Sequence, residues 1–250
     1  MARLDYPISH CRNDYSMNLR NFLTGAFLCV LAHSPLMAAP SQKSVKPQTI
    51  RPYGMFSNLE ISRETGDVGG VELFFFHAGR DFVLIVRGEG ELRQPILCEV
   101  VTKGNSILFQ EPSESERKAF QGTFSATHLS GKFSDGSSLK VPRKQCRMMT
   151  SFSGISVSRE TGDVMGMEIV LFLADQPYAL ILQAEGEFLP PQVVPVREDE
   201  KRVQFNFKRG GGEVASFNGA KSQTFLSGVL STPGQPNENL KIPAKKSFWQ

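Results

Sequence analysis

The chain has 250 residues, 40% of them hydrophobic, and a formal charge of +3, so it is long enough for two small domains. Its charge is too balanced for general nucleic-acid binding, which needs a dense basic stripe. With only four histidines and four cysteines, a zinc site or a catalytic triad would have few residues to draw on.

Residues 1–38 read as a signal-peptide region: Arg20, an apolar stretch over 21–32, and small residues at Ala38 and Ala39. Cleavage is expected after Ala38, and charges upstream of Met17 suggest Met17 as the true start. The apolar stretch is short for a membrane span, and an uncleaved anchor is the alternative. Export to the periplasm or beyond follows from the leader. Residues 39–52 are polar and proline-containing, a linker without hydrophobic period. In the exported chain Cys98 and Cys146 remain, and an oxidising compartment favours a disulfide between them, with two separate thiols as the alternative.

From residue 53 the chain carries a repeat. The heptapeptide Ser-Arg-Glu-Thr-Gly-Asp-Val occurs at 62–68 and at 158–164, an offset of 96. At the same offset Gly70, Glu72 and Phe76 match Gly166, Glu168 and Phe172; Glu89, Gly90 and Glu91 match Glu185, Gly186 and Glu187. One added residue then brings Phe120, Gly122, Leu129 and Gly131 onto Phe217, Gly219, Leu226 and Gly228. The expectation is a tandem duplication, with β-domains at 53–147 and 150–250. Most shared residues are glycines, turn residues and aliphatics, types that specify backbone shape.

Alternation and turn signals predict eight short strands in the first unit, near 55–62, 69–77, 81–89, 96–103, 106–111, 119–126, 129–134 and 138–143. The second unit repeats them from about 151 to 243. The fold class is all-β, two small antiparallel up-and-down barrels, with two β-sandwich domains as the alternative. Residues 71–86 and 167–182 are apolar on both strand faces and need cover on both, from domain–domain or homodimer packing.

The repeated turn offers Glu64, Gly66 and Asp67, then Glu160, Gly162 and Asp163. Two carboxylates around a glycine invite a calcium reading, yet the segment supplies too few oxygens, and a reverse turn explains it. The Glu-Gly-Glu pairs suit a strand bulge better than acid–base work. His77 and His128 have Leu173 and Phe225 at the matching positions. Gly210, Gly211 and Gly212 lack the context of a phosphate loop. Lys140, Arg143, Lys144 and Arg147, then Lys241, Lys245 and Lys246, form basic clusters near the unit ends, and Trp249 stands at the C-terminus. No catalytic residue, metal or cofactor is expected.

The pattern E-x-G-D-x-x-G-x-E at Glu64, Gly66, Asp67, Gly70 and Glu72, followed by Phe120-x-Gly122 and Leu129-x-Gly131-x-Phe133, resembles a set of uncharacterised bacterial exported proteins. That resemblance implies location and no activity. In shape alone the units resemble calycin barrels of the lipocalin and avidin kind, and fold does not supply function. The expected function is that of an exported, non-catalytic binding protein of the bacterial envelope, holding an apolar or amphipathic small molecule. The alternative is an envelope docking protein without such a ligand.

Overall fold

The computed structural model describes residues 51–112, 118–144, 149–199 and 202–246, and they contain strands and no helix. The expected signal-peptide region (1–38), most of the expected 39–52 linker, Cys146 of the expected disulfide, Arg147 and Trp249 lie outside them.

The first half contains β1 (Gly54–Ser57), β2 (Glu60–Ile61), β3 (Val68–Ala78), β4 (Arg80–Leu92), β5 (Ile96–Lys103), β6 (Ser106–Gln110), β7 (Ala119–Phe124), β8 (His128–Phe133) and β9 (Ser138–Lys144). Neighbours pair antiparallel from β3 through to β9. The barrel of eight strands closes because β1 pairs with both β3 (Met55↔Phe74) and β9 (Phe56↔Arg143). β2 stands outside the closed ladder, on β3.

Strict alternation fills the interior. Phe56, Leu73, Phe75, Val83, Ile85, Phe109, Phe120 and Leu129 belong to one buried cluster. Its rings touch in series: Phe56–Phe75 at 5.7 Å between centroids, Phe75–Phe109 at 6.5 Å, Phe109–Phe120 at 4.9 Å and Phe120–Phe133 at 5.1 Å. This barrel is packed with side chains along its axis, as small barrels are when aromatics fill the taper.

The glycines of the Phe-x-Gly pattern make that packing possible. Gly122 on β7 faces Gly131 on β8, and a Cβ on Gly131 would lie 2.4 Å from the Gln121 carbonyl oxygen and 2.6 Å from the Phe120 ring. In the second half Gly219 faces Gly228, with Phe217 in the place of Phe120. An aromatic ring lying over a cross-strand glycine pair covers the backbone that glycine leaves bare.

The second half contains β10 (Met149–Ser153), β11 (Ser156–Val157), β12 (Val164–Leu173), β13 (Pro177–Gly186), β14 (Gln192–Pro195), β15 (Arg197–Glu198), β16 (Arg202–Lys208), β17 (Val214–Lys221), β18 (Phe225–Ser231) and β19 (Glu238–Pro243). Here the structure differs from the expected eight-strand ladder and forms two sheets around one core. One sheet holds β10 to β14, the other β15 to β19. Pro195 stands where the first half has Glu99, and a proline has no N–H to give a ladder. The seam is stitched by Gln192, whose side-chain Nε2 donates to the Lys208 carbonyl at 2.7 Å and whose Oε1 accepts the Lys208 N–H at 2.8 Å. On the other flank β10 meets the end of β19 at a single bridge, Phe152↔Ala244. Ile169, Ile181, Val203, Phe205, Phe217 and Leu226, drawn from both sheets, share one buried cluster.

The doubly apolar hairpins find their second cover in each other. Phe74, Phe76, Leu84 and Val86, from the outer face of β3–β4, form one buried cluster with Val170, Phe172, Tyr178, Leu180 and Leu182 from β12–β13. Each large apolar side chain buried this way contributes about 1.5–3 kcal/mol relative to exposure. Glu72 borders this face, and burial raises its carboxyl above the ordinary glutamate range.

Candidate functional site

The repeated heptapeptide forms the tip of an arm in each half. Thr-Gly-Asp turns between β2 and β3 and between β11 and β12 have the same internal bonds. The Ser62 N–H donates to the Asp67 carbonyl at 2.8 Å and the Gly66 N–H to the Ser62 carbonyl at 2.9 Å. The Ser158–Asp163 and Gly162–Ser158 equivalents measure 2.8 and 3.0 Å. The Ser62 hydroxyl accepts the Thr65 N–H, and the Ser158 hydroxyl the Thr161 N–H, both at 3.2 Å. Gly66 and Gly162 share φ +79°, the left-handed region that favours glycine. Ser, Thr and Gly thus have backbone work to do, and in the second half the Thr161 hydroxyl also donates to Asp163 Oδ2 at 2.6 Å. Among the described residues no group of three His, Cys, Asp or Glu side chains is placed to hold a metal.

Two further features gather on the same arms. Ile61 faces Val68, which faces Gly90, so Glu89, Gly90 and Glu91 lie beside the turn that carries Arg63 and Glu64. Val157, Val164 and Gly186 repeat the arrangement, bringing Glu185 and Glu187 beside Arg159 and Glu160. Arg93 binds Glu89 at 3.2 Å and Glu91 at 3.0 Å; Leu189 stands at its place in the second half. Exposed apolar side chains accompany the charges: Ile61 is 63% exposed, Val157 47% and Met165 50%. Arg63, Glu64, Arg159 and Glu160 are exposed and make no side-chain hydrogen bond or ion pair among the described residues.

A second group of polar residues is gathered where the β3–β4 turn closes one end of the barrel, its mouth. Asp81 on β4 accepts three hydrogen bonds. Tyr53 OH reaches Oδ1 at 2.9 Å, His77 Nδ1 lies 2.7 Å from the same oxygen, and the Thr102 hydroxyl donates to Oδ2 at 2.8 Å. Burial pushes Asp81 up, but the bonds from His77, Thr102 and Tyr53 outweigh it and hold its carboxyl below the ordinary range. Stability from this depressed group is present above the usual aspartate pKa and lost as pH falls through the lowered value, so the network is intact at neutral pH. Both hydroxyls, of Tyr53 and of Thr102, donate to the Asp81 carboxylate, and the Tyr53 hydroxyl also lies 3.4 Å from His77 Nδ1.

At the opposite end Arg87 and Glu111 form a two-pronged ion pair inside the barrel, Nη1 to Oε2 at 2.9 Å and Nη2 to Oε1. Arg87 also lies 5.8 Å from the Phe133 ring centroid. Cys98 is buried on β5, and burial, then the Glu111 charge, push its thiol up to about 12, far from a reactive thiolate.

Arg143, which the sequence places in a basic cluster, turns inward from β9. Its guanidinium lies 4.5 Å from the Phe56 ring centroid. In the second half an open depression of about 450 Å³ adjoins Pro177, the position equivalent to Asp81, and Glu198, equivalent to Thr102. Arg197 and Arg202 on its wall are offset by Glu198 and Asp199, which leaves no single-sign field for a ligand. No family model, curated protein or solved structure matches this chain.

Proposed function

We propose that this chain is an exported, non-catalytic interaction protein of the bacterial envelope, a tandem duplication whose two repeated arms dock onto a partner. The observation that carries the reading is the recurrence of Arg63 and Glu64 as Arg159 and Glu160. Other charged positions change between the halves, Arg87 to Gln183 and Arg93 to Leu189 among them, and the bonds of the turn given above involve neither the Arg63 nor the Glu64 side chain. Exposed charges without a structural bond are free to drift between copies, so their retention points to a surface used twice. Charged side chains beside Ile61, Val157 and Met165 give the mixed apolar and polar character of a protein interface.

A small apolar ligand inside the barrel is the weaker reading, because the interior positions hold stacked phenylalanines. The signal-peptide pattern of residues 1–38 supports export.

The test replaces Arg63 and Glu64, then Arg159 and Glu160, then all four, by alanine. Surface changes of this kind leave stability within about 0.5 kcal/mol. Either pair alone is expected to weaken co-fractionation with the envelope of the exporting host. All four together are expected to abolish it, since two tethered contacts gain about a hundredfold or more over one. Unchanged co-fractionation of the fourfold variant would overturn the reading.

A further inference from the structure

We propose that the mouth of the first barrel is a peptide-recognition site, built for a short extended Arg-Pro-Tyr segment and occupied by the chain's own residues 51–53. These residues precede β1 and belong to no strand, yet Pro52 is buried and Tyr53 half-buried. Four strands each send one group towards them. From β3, His77 stands 3.4 Å from the Tyr53 hydroxyl, with ring centroids 6.0 Å apart. From β4, Asp81 accepts that hydroxyl, and from β5, Thr102 fixes the other carboxylate oxygen. From β9, Arg143 donates Nη1 to the Tyr53 carbonyl at 2.6 Å and Nη2 to the Arg51 carbonyl at 3.3 Å.

This is the division of labour by which proteins read peptides: main-chain carbonyls for affinity, one side-chain pocket for identity. The guanidinium spans the carbonyls on either side of Pro52, a residue with no N–H of its own to satisfy. Arg143 is committed to the task at a cost. Burial lowers its pKa, and its Nε is buried without a hydrogen-bond partner. The Phe56 ring beneath it supplies the remaining stabilisation.

The second half lacks these groups, and its ladder is divided into two sheets between β14 and β15, beside the equivalents of Asp81 and Thr102. At the equivalents of Tyr53, His77, Asp81, Thr102 and Arg143 it has Met149, Leu173, Pro177, Glu198 and Ala244. None of the five groups is kept there, so the cradle around residues 51–53 belongs to the first half. The segment works as a strap: it fills the mouth in cis, and the next strand, β1, is the one that closes the barrel. A peptide of the same sequence would enter only when the strap is weakened.

The experiment uses the full chain and two measurements. In the first, Asp81→Asn keeps the shape and removes the charge that the Tyr53 phenol, His77 and Thr102 share. Amide exchange over 53–57 is expected to rise about tenfold or more, with the second half unchanged. In the second, Tyr53→Ala is titrated with a labelled synthetic heptapeptide carrying residues 47–53, Pro-Gln-Thr-Ile-Arg-Pro-Tyr. Binding is expected in Tyr53→Ala and at least about tenfold weaker in the wild type, whose strap competes. Replacing the peptide's tyrosine by phenylalanine should weaken binding by a similar factor, as should adding Asp81→Asn. Exchange over 53–57 that ignores Asp81→Asn would overturn the proposal. So would a folded Tyr53→Ala that fails to bind the peptide at millimolar concentration, or binds the phenylalanine version equally well.

Discussion

Replacing Glu111 by alanine is expected to destabilise the protein by about 3 kcal/mol or more, measured by urea unfolding of the full chain. The Glu111 side chain is 6% exposed and that of Arg87 23%, so the pair is largely withdrawn from water. Removing the carboxylate leaves a guanidinium inside the barrel without its two-pronged partner, beside the Phe133 ring. The loss is therefore set by the orphaned charge more than by the two hydrogen bonds. The distinguishing control replaces both partners, Arg87→Met with Glu111→Leu. Apolar residues of similar volume are expected to recover most of the loss, because neither charge is left unpaired. A double variant as unstable as Glu111→Ala alone would mean that the pair shapes the barrel end itself.

Gly131→Ala is the second large effect, expected at about 2–3 kcal/mol by the same method, with Gly228→Ala close to it in the second half. Neither glycine is needed for its dihedral angles, since both lie in regular strands. Their requirement is space: a methyl at 131 meets the Gln121 carbonyl oxygen at 2.4 Å and the Gly122 Cα at 2.6 Å, and both are backbone. Truncating Phe120 in the same chain would therefore relieve only the ring contact and is not expected to rescue Gly131→Ala. A cost below about 0.5 kcal/mol would show that the strands can part without loss.

The legible part of this fold was whatever the period of two and the 96-residue offset encode. Strand positions, the turn at Thr65, Gly66 and Asp67, and the need to cover both faces of 71–86 all follow from local pattern. The glycines of the Phe-x-Gly motif were visible as spacing, but their purpose emerges only when Gly122 is seen opposite Gly131. The seam at Pro195 was equally present in the sequence, and its effect on the second ladder is the ordinary effect of a missing N–H.

The mouth network went unread for a physical reason. Tyr53, His77, Asp81 and Thr102 lie outside the repeated pattern, with Met149, Leu173, Pro177 and Glu198 at the matching positions. Each lies near a different strand end, and their meeting depends on barrel closure. Part of it was nevertheless within reach. A tight turn through Ala78, Gly79 and Arg80 sets His77 opposite Asp81. The same holds for the ion pair: Val83, Ile85 and Arg87 share one face of β4, and Ile107 and Phe109 continue to Glu111. Alternation alone puts both charges inside. Arg143 follows Leu139 and Val141 on the inward side of β9, so the same period separates it from Lys140 and Lys144 in its basic cluster.

Site-specific photo-crosslinking in the host cell, with the crosslinking residue at position 64 and, separately, at position 160, tests most directly whether the repeated arms are the working surface. The expected result is an adduct of the same added mass from both positions, lost when the opposite pair of arm charges is replaced by alanine. No adduct from either position, with the protein exported and folded, would contradict the account.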